Sequence, residues 1–483
     1  MAGPNLVIIM SDEHDPRYMG VSGHPVIKTP NLDRLAGRGA RFANAYTPSS
    51  ICVPARAAFA TGDYVHRIGY WDNAIAYDGR VRGWGHALQD AGIRVESIGK
   101  LHYRNAEDDA GFDAEHIPMH IYNGHGMVWG SIRDPLPDRR PHGHRMLGDY
   151  IGPGESNYTR YDRSVAARAI EWLTARADAP DGKPWCLFVG FVAPHFPLVV
   201  PQPFFDLYPL DRIGLPKLHP RSGYERHPWV AAHDAFWSHD AAFRDDDERL
   251  TAVAAYYGLC SWVDHNIGQV LATLDETGLS ETTRVIYTSD HGDNVGARGL
   301  WGKSNLYQES VAVPMIVAGP GIGTGVRTTP VSLIDLYPTI LQSFGLPLPA
   351  GADSRPGRSL FELADGPDEP ERVVFSEYHA IGAPSGAFML RKGRWKYHHY
   401  VGFPPELFDL ETDPEETTDL ASDPAHAGVV AEMDVLLHEI CDPETVDAQA
   451  KRDQAALVAR FGGREAAMTI GAPGATPAPQ EQA

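Results

Sequence analysis

The stretch Leu6-Val7-Ile8-Ile9-Met10, followed at once by Ser11-Asp12-Glu13-His14, carries a pattern that recurs along the chain. A short, unbroken run of large apolar residues suits a strand buried on both faces, as in a parallel sheet. Arg94–Ile98 is followed by Gly99-Lys100-Leu101-His102, Trp185–Val192 by Ala193-Pro194-His195, and Val285–Thr288 by Ser289-Asp290-His291-Gly292-Asp293. Val313–Val317 is a further apolar run. Helix-like stretches lie between: Ser164–Ala177, Tyr256–Thr277, and Ser332–Phe344, the last interrupted by Pro338. Alternating strands and helices predict an α/β fold with a large, mostly parallel central sheet sandwiched by helices. In such sheets ligands bind at the carboxyl ends of the strands. One polar strand end is usually only a loop; four that end in acid/base or metal-ligating residues converge on one edge and mark a site.

Composition narrows the function. The chain has 483 residues, 42 Lys plus Arg against 63 Asp plus Glu, and a formal net charge of −21. That surface repels phosphate backbones and argues against nucleic-acid binding. Hydrophobic residues at 43% and charged residues at 22% exclude wholesale disorder. The four cysteines, Cys52, Cys186, Cys260 and Cys441, are too widely spaced for a disulfide framework or a CxxC metal knuckle. No apolar run approaches a membrane span. The N-terminus carries no basic region or cleavage site of a signal peptide, so a cytoplasmic enzyme is expected.

Two units are expected. Residues 1–365 form the larger one, with a polar insertion or lid at about 211–250 that holds His219, His227, His233 and His239; a plain surface excursion is the alternative. Residues 366–483 form a smaller α+β unit with an antiparallel sheet, a hairpin around Lys392-Gly393, and helices around Val429–Ile440 and Val446–Arg460. The tail Gly471–Ala483, small and Pro-rich, is expected to be flexible.

The segment Ser50-Ile-Cys52-Val-Pro54-Ala-Arg56-Ala-Ala-Phe-Ala-Thr61-Gly62 is the sharpest feature. Pro54 suits a first helical position, which puts Cys52 at a helix N-terminus where the backbone favours anions. Arg56 follows one turn on. A lone cysteine is usually a buried structural one. A thiol phosphatase needs its arginine further along a phosphate-cradling loop, which this spacing does not provide. Asp12, Asp290 and His291 offer hard oxygens and one imidazole, a set for Ca²⁺, Mn²⁺ or Mg²⁺ rather than thiolate-bound zinc.

Cys52-Val-Pro54-Ala-Arg56 with Thr61-Gly62 resembles the signature of the type I sulfatases of the alkaline phosphatase superfamily. The resemblance spans nearly the whole chain, through Asp12, Gly99-Lys100-Leu-His102, Pro194-His195, Asp290-His291-Gly292, Lys303, Lys392-Gly-Arg-Trp-Lys396 and Glu406-Leu-Phe-Asp409. Tyr70-Trp-Asp-Asn73, Asp290-His291 and Pro405-Glu-Leu-Phe-Asp409 lean towards the choline-sulfatase and phosphonate monoester hydrolase branch.

The resemblance implies an alkaline phosphatase-like fold and hydrolysis of aryl or alkyl sulfate monoesters. It also implies that a formylglycine-generating enzyme converts Cys52 to formylglycine. The hydrated aldehyde attacks sulfur, and its second hydroxyl then expels sulfate. By the same resemblance, Asp12, Asp290, His291 and residue 52 hold one divalent ion, and Arg56 and Lys100 support the diol. His102 takes the proton of the second hydroxyl. His195 and Lys303 face the leaving oxygen, with His195 as general acid, and Asn73 binds sulfate. Two positions depart from many members. Glu13 stands where an Asp is common and is left out of the ligand set. His291 stands where an Asn is common and raises Mn²⁺ relative to Ca²⁺. The rival readings are a phosphonate monoester or phosphodiester hydrolase with the same site, and a non-enzymatic metal-dependent binding protein. A homo-oligomer without nucleic-acid or membrane partners is expected.

Overall fold

The computed structural model describes residues 4–138, 146–349, 354–471 and 475–479. Its main sheet has eight strands: β1 (Asn5–Asp12), β2 (Gly39–Phe42), β3 (Arg94–Lys100), β4 (Ala114–Met119), β5 (Trp185–Pro194), β6 (Thr283–Ser289), β7 (Met315–Ala318) and β8 (Gly325–Arg327). Their order is β8-β2-β7-β6-β1-β5-β3-β4. Only β7 runs against its neighbours, so the mostly parallel sheet expected from the apolar runs is present.

The continuous apolar runs have the expected cause. In β1, Leu6, Ile8 and Met10 point to one layer and Val7 and Ile9 to the other. One layer holds α2 (Cys52–Thr61), α3 (Trp84–Asp90) and α7 (Leu336–Ser343); the other holds α1 (Pro30–Gly37), α4 (Asn157–Asp178) and α6 (Asp246–Glu276). Each fully buried Leu, Ile or Val contributes about 1.5–3 kcal/mol of transfer free energy. Pro338 does not break a helix. It lies in the first turn of α7, where its missing N–H costs nothing.

Register then places the site. Ser11 of β1 pairs with Ser289 of β6, so Asp12 and Asp290 leave adjacent strands side by side. Gly99 of β3 pairs with Gly190 of β5. A Cβ on Gly190 would meet the Lys100 carbonyl at 2.1 Å, so only glycine lets the two strands close up beneath Lys100.

A second sheet, β9 (Val374–Tyr378), β10 (Ala387–Lys392), β11 (Trp395–Tyr400) and β12 (Glu406–Asp409), is antiparallel and carries α8 (Ala427–Ile440) and α9 (Pro443–Arg460). Lys392 pairs with Trp395, which makes Gly393-Arg394 the hairpin loop. The 211–250 insertion is not a plain surface excursion. It forms α5 (Pro228–Trp237), whose Trp229 and Val230 are fully buried against the second sheet. Trp229 Nε1 donates to the Ser385 carbonyl at 3.1 Å, and its ring stacks on Tyr400. The tail differs as well: Ala475 and Ala478 pack on the main core, whereas residues 472–474 and 480–483 lie outside the described residues. No helix among the described residues is long and apolar enough to cross a membrane.

Candidate active site

α2 begins at Cys52, so Pro54 is the third helical residue rather than the first; it still lies in the first turn, where Pro is tolerated. Gly62 ends the helix at φ 70°, with its N–H on the Ala58 carbonyl at 2.8 Å. The whole helix is buried, which places Cys52 and Arg56 against the strand ends.

Arg56 ties the strand ends together. Its Nε donates to Asp290 Oδ2 at 2.7 Å, its Nη2 to Asp12 Oδ2 at 3.0 Å, and its Nη1 to the Lys100 carbonyl at 2.9 Å. Lys100 Nζ lies 2.6 Å from Asp12 Oδ2. Burial alone would push the Asp12 carboxyl up, but Lys100, with Arg56 and Lys303, holds it well below the ordinary range.

These cations occupy the Oδ2 atoms and leave Oδ1 of both aspartates facing Cys52 and His291. Cys52 Sγ is 3.7 Å from Asp12 Oδ1 and 3.2 Å from His291 Nε2, which is 3.7 Å from Asp290 Oδ1. Ligands bound at about 2.0–2.6 Å to one ion stand roughly 3–4 Å apart, so this set fits a single metal ion. The His291 ring fits too: Nδ1 donates to the Gly292 carbonyl at 3.0 Å, which leaves the Nε2 lone pair for an ion. Burial first, then Asp12, pushes the Cys52 thiol up to about 12, so the cysteine as it stands is a poor nucleophile.

On the far side of Cys52, His195 Nδ1 donates to the Phe196 carbonyl at 2.6 Å, and Nε2 accepts from Lys303 Nζ at 2.9 Å. Burial and Lys303 hold His195 well below the ordinary histidine range. The proton of this pair therefore resides on Lys303, which also bonds Glu13. Glu13 has φ 66°, and its Oε2 is buried without a partner. It joins Asp12 and His195 in a second group of ligating atoms that shares Asp12 with the four around Cys52. Asp162 of α4 fixes the approach to His195 by accepting from Val192 N at 2.7 Å and Ala193 N at 2.8 Å.

The structure thus brings together Asp12, Cys52, Arg56, Asn73, Lys100, His102, His195, Asp290, His291 and Lys303. Asn73 Oδ1 accepts from Val53 N at 3.3 Å, beside Cys52. Sequence reasoning missed the other half of the pocket: Met127, Tyr158, Phe196, Trp301, Ile381 and Thr476 also line it. Phe196 and Trp301 flank His195 and Lys303 in sequence, which was an available signal; the others had none.

The residues 4–346 match the family model described as Sulfatase, and 296–442 match that of the N-sulphoglucosamine sulphohydrolase C-terminal region. The chain is 32% identical to the choline-sulfatase of Rhizobium meliloti over 473 residues, covering 94% of this chain and 90% of that one. It is 29% identical to human arylsulfatase K over 470 residues, covering 92% and 83%. The phosphonate monoester hydrolase of Agrobacterium radiobacter shares the fold, with a TM-score of 0.73 at 24% identity, covering 90% of this chain and 95% of that one. A match over most of the chain, with the predicted residues gathered at one sheet edge, settles the family: the protein is a member of the sulfatases, hydrolases of sulfate esters.

Proposed function

We propose that this sulfatase hydrolyses aryl or alkyl sulfate monoesters, using residue 52 as formylglycine beside one divalent ion held by Asp12, Asp290 and His291. The observation that carries the reading is the position of Cys52: its Sγ lies inside the ligand cluster, at the N-terminus of a buried helix. There the hydrated aldehyde supplies both the attacking oxygen and the hydroxyl that later releases sulfate. The ion supplies positive charge at the sulfate oxygens and favours ionisation of the attacking hydroxyl. With its neutral imidazole, the set favours Mn²⁺ over Ca²⁺.

The chain's own groups do the rest. Arg56 and Lys100 balance the two aspartates through their Oδ2 atoms and leave the Oδ1 atoms on the side of residue 52. Lys100, Lys303 and Asn73 face the space next to Cys52, where they bind the sulfate oxygens. His195 and Lys303 act as a pair at the leaving oxygen, the proton coming from Lys303 through or beside the imidazole. His102 takes the proton of the second hydroxyl. Arg56 and Lys100 pair with Asp12 and Asp290, so a divalent ion would add the positive charge that attracts a monoanionic ester. Peptide mass spectrometry of active protein from a host with a formylglycine-generating enzyme is expected to find residue 52 as formylglycine. Full activity in a preparation holding only the thiol would refute the proposal.

A further inference from the structure

The tail expected to be flexible enters the active site. Met468 and Ile470 pack in a small apolar cluster with Val128 and Ile132. Gly471 then lies so close to Gly126 that a Cβ would meet the Gly126 carbonyl at 1.9 Å. Further on, Ala475 and Thr476 line the pocket itself. Thr476 makes two bonds there. Its Oγ1 is 2.7 Å from His102 Nε2, and its carbonyl accepts from the Tyr158 hydroxyl. The Tyr158 ring in turn meets His195 edge-on, with centroids 5.9 Å apart.

Two features of His102 make this bond more than packing. Its backbone has φ 58°, the left-handed region that non-glycine residues adopt at a cost. Its Nδ1 is buried without a partner. A base needs one lone pair turned to its work and one N–H held elsewhere. In the tautomer whose Nε2–H donates to Thr476 Oγ1, Nδ1 keeps that lone pair.

The segment also limits space. The partly open cavity has about 40 Å³ of space. A water needs roughly 10–15 Å³ on this measure, so only a few waters fit between Cys52 and the segment. Apart from the charged groups around Cys52, the walls include Ile51, Met127, Phe196, Trp301 and Ile381.

We propose that Ala475–Thr476 is a working part of this site: Thr476 positions His102, and the segment walls the pocket so that sulfate esters with compact, apolar leaving groups are selected. The proposal rests on the sulfate-ester reading above and on the role given there to His102.

The test compares kcat and KM for ethyl, phenyl and 2-naphthyl sulfates in the wild type, Thr476→Ala, Thr476→Ser, Ala475→Phe and a chain ending at Ile470, each with formylglycine content measured. Thr476→Ala is expected to lower kcat on every ester by about tenfold, with KM little changed, and Thr476→Ser to restore it, because orientation of a catalytic imidazole acts on turnover. Ending the chain at Ile470 is expected to shift the 2-naphthyl to ethyl ratio of kcat/KM upward by about tenfold or more, within the range hydrophobic pockets discriminate. Ala475→Phe is expected to shift it downward, and it keeps the size argument testable if the shortened chain does not fold. Wild-type ratios in Ala475→Phe, together with wild-type kcat in Thr476→Ala, would overturn the proposal. Inactivity of the modified wild type on every sulfate ester would overturn the sulfate-ester reading instead.

Discussion

The two halves of the pocket are built in different ways. The floor, with Asp12, Lys100, His102, His195, Asp290 and His291, comes from the ends of four adjacent parallel strands and the turns that follow them. The roof, with Met127, Ile381 and Ala475–Thr476, comes from segments far apart in sequence that share no element. Strand register fixes the floor, and tertiary packing alone assembles the roof. Charges that must meet at fixed distances are held by the sheet; apolar walls that only shape a space are hung from loops and a tail.

If that contrast is real, the largest effects belong to the floor. Asp290→Ala removes a carboxylate of the proposed ligand set and leaves Arg56 Nε without its partner. Activity is expected to fall by more than about 10³-fold, since positioning and charge stabilisation are lost together. The broken buried pair is expected to cost about 3–5 kcal/mol of stability. Metal analysis of the purified variant should find the ion gone. A variant that keeps both metal and rate would remove the strand-end cluster from the reaction.

Next comes the leaving-group side of the floor. His195→Ala should slow esters of high leaving-group pKa by about 10²–10⁴-fold and nitrophenyl sulfate less, so the slope of log rate against leaving-group pKa steepens. Because Lys303 carries the proton in the resting site, Lys303→Ala should steepen it at least as much. With bond cleavage rate-limiting, an unchanged slope in both variants would leave the pair as sulfate binders only.

The same contrast explains what was legible in the sequence. The floor was readable because apolar runs announce buried strands and the residues after them announce the site. Cys52 and Arg56 were readable because Pro54 and Gly62 bracket a helix. Pro54 was misplaced by two positions, since nothing local distinguishes the first helical residue from the third. Glu13 was set aside as a ligand, and it instead holds Lys303 beside His195. The insertion was left open between a lid and a surface excursion because its polar composition hid one apolar contact, Trp229 and Val230 against the second sheet. Thr476 was unreadable: a Pro-, Gly- and Ala-rich tail has the composition of disorder, and only its bonds to His102 and Tyr158 reveal its place.

The smallest effect should come from the roof, and it tests the contrast most finely. Ile381 lies just beyond β9, buried in the pocket wall, and its apolar side chain carries no bond to the charged floor. Its carbonyl accepts from His233 Nε2 at 3.2 Å and from the Tyr378 hydroxyl at 2.8 Å, so backbone bonds hold the loop whatever the side chain is. Ile381→Ala therefore removes wall without moving the floor. A lost methylene contact in an apolar pocket is worth about 1–3 kcal/mol. Partial collapse of the neighbours offsets some of this, so kcat/KM for phenyl sulfate is expected to fall by roughly tenfold. The loss should appear in KM, because contacts to the organic group are the same before and during S–O cleavage. Inorganic sulfate, which reaches only the floor, should inhibit the variant and the wild type equally. A matching loss of sulfate affinity, or a fall confined to kcat, would mean that roof and floor are mechanically coupled and that the division drawn between them is wrong.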